Sequence, residues 1–137
     1  MKKKDNWIKL FFDFTRENKD KPFEWGKWDC CLFANAAIKA ITGKNLIPKD
    51  LTWKDEKTAM QAIAKYGTLN QALTKVCKDA KIPTVKPIMV STGDLVLFKE
   101  ESELVGISDG FNILAQTDDG IALKSHELIV KAWRING

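Results

Sequence analysis

Apolar residues recur at intervals of three and four as far as Pro83, and at intervals of two beyond it. Trp7, Leu10, Phe11 and Phe14 share one face of a predicted helix that Asp5 can cap and that ends near Glu17, before the polar run Asn18-Lys19-Asp20-Lys21-Pro22. A glycine-containing loop, Phe23 to Trp28, leads to Asp29, which stands at the N-cap position of a second helix from Cys30 to Ile41, closed by Gly43. Leu32, Phe33, Ala36, Ala37, Ala40 and Ile41 fill one broad arc of that helix, with Cys31 and Ile38 on the other side and Cys30 at the border. A helix apolar nearly all round is expected to be central and buried. The spacing predicts a third helix from about Lys54 to Tyr66, with Ala59, Ala62, Ile63 and Tyr66 inward and Gly67 as its stop. Thr68 can cap a fourth, carrying Leu69, Ala72, Leu73, Val76 and Ala80 on the face that also holds Cys77 as a small core residue.

After Pro83 the period becomes that of strands. Short runs rich in Val, Ile and Leu span Ile88 to Val90, Asp94 to Phe98, Leu104 to Ser108, Asn112 to Gln116, Ile121 to Lys124 and Ile129 to Arg134. Asp109-Gly110 and Asp119-Gly120 are hairpin turn signals. Helices first and strands later predict an α+β domain with an antiparallel sheet against the central helix.

Composition narrows the picture. A chain of 137 residues, 45% hydrophobic and 29% charged, is expected to form one domain over residues 1–137 with a single core. The net charge is +4, but lysines are interspersed with acids, which favours a solvated surface over a nucleic-acid partner. The Lys2-Lys3-Lys4 run is followed by a segment that Lys9 and Asp13 interrupt, which argues against a signal peptide and against membrane insertion. Three cysteines cannot all pair, and a bridge between neighbouring Cys30 and Cys31 would be strained, so no disulfide is expected. One histidine and no C-x-x-C spacing give no pattern for a metal site, and no cofactor is expected.

The candidate chemistry lies at the Asp29-Cys30 step. A thiol in a helix's first turn meets unsatisfied N–H groups and the positive end of the macrodipole, which lower its pKa below the free value of about 8.5. Hydrolysis of an amide would also need a base within hydrogen-bond reach and a group to orient it. The single histidine, His126, sits in the polar segment Lys124-Ser125-His126-Glu127, either as a solvated turn residue or as a substitute base. Trp25, Trp28 and Asp29 around the thiol are candidate binding residues, the tryptophans as a wall for a sugar or a protein partner. Bulk alone favours burial of Trp25 and Trp133 and leaves Trp7, Trp28 and Trp53 open. Cys31, facing away from Cys30 on the wheel, is expected to be packing.

Trp25-Gly26, Asp29-Cys30 and Gly93-Asp94-Leu95-Val96-Leu97-Phe98, followed by Val105-Gly106-Ile107, resemble the NlpC-type cell-wall peptidases, small papain-like enzymes. In that family the cysteine after the aspartate is the nucleophile, and the resemblance implies a papain-like α+β fold with Cys30 at the start of the core helix. Phe23-Glu24-Trp25-Gly26, Phe33 and Ala132-Trp133-Arg134-Ile135 extend the resemblance to short phage tail-associated proteins with an F-x-W-G-x-x-D-C segment. The departures are as informative as the matches. Leu104 stands where the resemblance places the catalytic histidine, and Leu114 where it places the orienting residue, as if the catalytic groove had been filled. Glu103, next to Leu104, is expected on the opposite face of its strand. The expected function is a phage tail or virion-assembly protein on an inactive cysteine-peptidase fold, with other tail or virion proteins as partners, in the virion or in the host cytoplasm during assembly. The alternative is an active thiol peptidase or amidase acting on peptidoglycan, with Cys30 as nucleophile and His126 or a partner chain supplying the base.

Overall fold

Capping side chains decide where most of the helices begin. The computed structural model describes residues 1–135, so the last two positions of the expected 1–137 domain lie outside the described residues. Helix α1 (Trp7–Asn18) starts after Asn6 rather than at an Asp5 cap; the N-cap has no side-chain bond, and the Trp7 N–H donates to the Lys4 carbonyl at 3.0 Å. Helix α2 (Cys30–Thr42) has the expected Asp29 cap and ends at Gly43, whose φ of 80° lets its N–H reach the Lys39 carbonyl. Helix α3 (Glu56–Ala64) is shorter than the apolar pattern suggests, because Asp55 and Thr58 form a capping box that fixes its start. Thr68 and Gln71 do the same for α4 (Leu69–Asp79), as Thr68 predicted.

The strands are β1 (Thr84–Val85), β2 (Leu95–Lys99), β3 (Glu103–Ser108), β4 (Ile113–Thr117), β5 (Gly120–Lys124) and β6 (Ile129–Trp133). They form an antiparallel sheet in the order β1-β6-β2-β3-β4-β5. The expected strand over Ile88 to Val90 is not formed: Pro87 opens a 3-10 turn, Pro87–Met89, that leaves Ile88 90% exposed.

Two clusters divide along the faces of the sheet. On the near face, Phe33, Ala37, Ile38 and Ile41 of α2 pack with Val105 and Ile107 of β3, Leu114 of β4 and Trp133 of β6. Phe11 and the α4 residues Leu73, Val76 and Cys77 complete this cluster, which places Cys77 in the core as expected. Full burial of Phe33 and Ile38 contributes about 1.5–3 kcal/mol each. Because the sheet and α1 both press on α2, Ile38 is buried although it lies off the main apolar arc, while Leu32, Ala36 and Ala40 are only half-buried. On the far face, Val96, Phe98, Ile113 and Ala132 form the second cluster with Val90, and Leu128 packs against it. Gly106 faces this side, where an added Cβ would lie 2.5 Å from Ile113 Cγ2 and 2.8 Å from the Leu114 carbonyl oxygen, so only glycine fits.

Candidate functional site

The loop before α2 is held shut by its own ends: the Glu24 N–H donates to the Trp28 carbonyl at 3.1 Å, and the Trp28 N–H to the Glu24 carbonyl at 2.7 Å. Gly26 turns this loop with φ +78°, its Cα pressed against the Lys54 carbonyl, where an added Cβ would sit 2.5 Å from the oxygen. Its N–H donates to Asp29 Oδ2 at 3.0 Å. The same oxygen accepts from Trp53 Nε1 at 2.7 Å, while Oδ1 accepts from the Leu32 N–H at 3.0 Å. Asp29 is 1% exposed and already holds all three donors. It is therefore a scaffold for the helix start, whose carboxylate is engaged by the chain's own donors where it lines the cleft.

The tryptophans are also reassigned. Trp28 is buried among Phe14 and Phe33, donates from Nε1 to Gln116 Oε1 at 2.8 Å and carries the Lys21 ammonium over its ring at 3.8 Å. A side chain so fully engaged is core and cannot bind a ligand. Trp25, expected to be buried, is half-buried, meets Phe23 edge-on at 4.9 Å and borders an open cleft. Trp133 is buried as expected.

Cys30 sits in the first turn of α2 at the floor of that cleft. The groups that favour its ionised form are first the neighbouring Cys31 thiol and then the Val105 and Cys31 backbone N–H groups. Together they hold the Cys30 thiol below its ordinary range, against its own burial and the nearby Asp29 carboxylate. Cys31 packs against the near-face core, as expected, and its own thiol is pushed well up, first by the neighbouring Cys30 thiol and then by burial.

No imidazole accompanies the sulfur. His126 opens a 3-10 turn (His126–Leu128) and its Nε2 lies 2.9 Å from Ser108 Oγ. Ser108 shares its strand phase with Leu104 and Gly106, the side chains of β3 that face away from α2. The histidine is thus placed on the far face, which removes it as a substitute base within this chain. Leu104 stands opposite Phe98 and packs on the far cluster, meeting the cleft only at its border, whereas Leu114, beside Ile107, faces α2. The β3 side chain on the Cys30 face at the cleft is Glu103, whose Oε1 accepts the Asn70 N–H at 3.3 Å in the first turn of α4.

The cleft has a volume of ≈ 460 Å³. Trp25, Trp53, Met60, Ile63 and Leu69 supply its apolar walls, and Glu56 and Glu103 border it. Sequence reasoning missed Met60, left Trp53 open and expected Glu103, which the structure turns toward Cys30, on the opposite face from Leu104. The phase of β3 could have found Glu103, because apolar Val105 and Ile107 alternate with Gly106 and mark which side of the strand meets the helix. Among the described residues no group of three His, Cys, Asp or Glu side chains is placed to hold a metal ion, and no helix is long and apolar enough to cross a membrane. Chemically, the site offers a thiol held below its usual range beneath an apolar cleft, with the carboxylates of Glu56 and Glu103 at its border and the imidazole of His126 on the other face of the sheet.

A family model described as a domain of unknown function (DUF6950) matches residues 2–135. No curated protein matches the chain.

Proposed function

The chain belongs to the DUF6950 family, and we propose that it is a phage tail or virion-assembly protein built on a papain-like, NlpC-type scaffold without hydrolytic activity. The motif order supports the scaffold: a tryptophan-glycine loop, an Asp-Cys step into a buried helix, and a Gly-Asp-Leu-Val-Leu-Phe segment entering the sheet that packs on that helix. The observation that carries the loss of hydrolysis is the separation of the thiol from the chain's one histidine by the sheet itself. A missing general base removes about 10²–10⁴-fold in rate even where the nucleophile remains. The partners under this reading are other tail or virion proteins, and the sites of action are the virion and the host cytoplasm during assembly. Incubation of the purified protein with bacterial sacculi should release no more muropeptide than a Cys30→Ala variant does. Release by the wild type alone would refute the proposal.

One observation favours a second reading: the Cys30 thiol, held below its usual range by the Cys31 thiol and then by backbone N–H groups, borders the cleft. In this reading the protein is a peptidoglycan peptidase or amidase whose base comes from a partner chain. Muropeptide release that requires a second tail protein and disappears in Cys30→Ala would select it.

A further inference from the structure

The cleft over Cys30 is marked by its charge as well as by its walls. The protein has a net charge of +4, yet every charged residue bordering the cleft is acidic: Asp29, Glu56 and Glu103. Asp29 is saturated by its own hydrogen bonds. Glu56 and Glu103 are not, and neither forms an ion pair among the described residues, although Asp13, Glu24, Asp79, Asp94 and Glu100 all do. Between the two carboxylates lie apolar surfaces that stay open to solvent, with Met60 48% exposed. The volume of ≈ 460 Å³ falls within the roughly 300–1,000 Å³ of ordinary ligand sites.

Resting on the non-hydrolytic reading of this site, we propose that the cleft docks a segment of a partner protein in which an apolar side chain stands beside a lysine or arginine. The apolar side chain would enter between Trp25, Trp53, Met60 and Ile63, where flexible methionine and flat aromatic surfaces adapt to a range of shapes. The cation would reach Glu103 and Glu56, which an acidic segment would find repulsive; the carboxylates therefore select the partner more than they strengthen the grip.

The probe is an acetylated, amidated hexapeptide with lysine between two leucines, compared with the same peptide bearing glutamate in place of lysine. Binding is read from tryptophan fluorescence in a Cys30→Ser background, and mass spectrometry verifies that the peptide stays intact. The lysine peptide should bind about tenfold more tightly than the glutamate peptide at low salt, with the gap shrinking as salt is added. Glu103→Gln combined with Glu56→Gln should bring the two peptides to within about twofold of each other. Glutamine at position 103 can still accept the Asn70 N–H, and a melting curve like that of the wild type verifies the fold. Equal binding of both peptides, binding of neither, or a preference that survives the double substitution would overturn the proposal. So would a wild-type dimer that the same two substitutions dissociate, since the cleft would then be a contact between copies of this chain. Sacculus digestion tests the non-hydrolytic reading separately, because the serine background and the intact peptide make this result independent of catalysis.

Discussion

The two faces of β3 carry opposite kinds of polar chemistry. On the near face Glu103 precedes Val105 and Ile107, and this side of the strand borders the cleft. On the far face Leu104 and Gly106 lead to Ser108, which is held by His126 and by the Gly110 N–H, beside the ion pair of Asp94 and Arg134. The far side is closed and satisfied: Asp94 is fully buried, and Arg134 also donates to the Met89 carbonyl and Ser91 Oγ. The near side is open, with a thiol and two carboxylates that form no ion pair among the described residues around a cleft. The chain therefore keeps its Cys30 thiol and its imidazole on opposite sides of one strand, and its far-face polar groups are paired with one another while its near-face groups border the cleft.

Substitutions on either side should show this division, in decreasing size. Arg134→Ala strips the buried Asp94 carboxylate of its partner and should cost about 2–3 kcal/mol by urea unfolding, less than for a fully enclosed pair because the Arg134 side chain is 36% exposed. Cys30 alkylation in the folded variant should be unchanged. Asp29→Ala removes the α2 cap and leaves Trp53 Nε1 and the Gly26 N–H without an acceptor, at about 2 kcal/mol, and it should shift tryptophan emission as well. Cys77, in the near-face core, provides the contrast to Cys30: burial pushes its thiol up to about 12. The folded state keeps a proton that the unfolded chain releases near 8.5, so stability falls as pH rises from there, by at most about 1.4 kcal/mol per pH unit. Cys77→Ala should flatten that part of the alkaline decline. His126→Ala removes one hydrogen bond to Ser108 and should cost about 1 kcal/mol, the smallest of these effects.

Local signals carried much of the fold. Asp29, Thr68 and Gly43 marked helix ends because caps act within a few residues, and most strands followed from their alternation. The Ile88 to Val90 run failed because apolar content outweighed Pro87, which cannot donate to a ladder. The site was legible only in part. Cys30 and its Asp29 cap could be placed, but Trp28 is fixed by Gln116, a partner 88 residues away that no local pattern reveals. Leu104 was assigned to the Cys30 side by matching a motif, whereas the strand's own alternation of Val105, Gly106 and Ile107 fixes the opposite phase. A one-residue change of phase exchanges the faces of every side chain in a strand, which is why Glu103 points to the helix side while Leu104, which also lines the cleft, packs on the far cluster.

The separation of thiol and imidazole is tested most directly by the rate of Cys30 alkylation with iodoacetamide across pH, followed by mass spectrometry in the wild type and in His126→Ala. The structure predicts one titration step, below the range of an ordinary thiol and the same in both proteins. A second step in the wild type that vanishes in His126→Ala would mean that the imidazole reaches the sulfur, and would contradict the account.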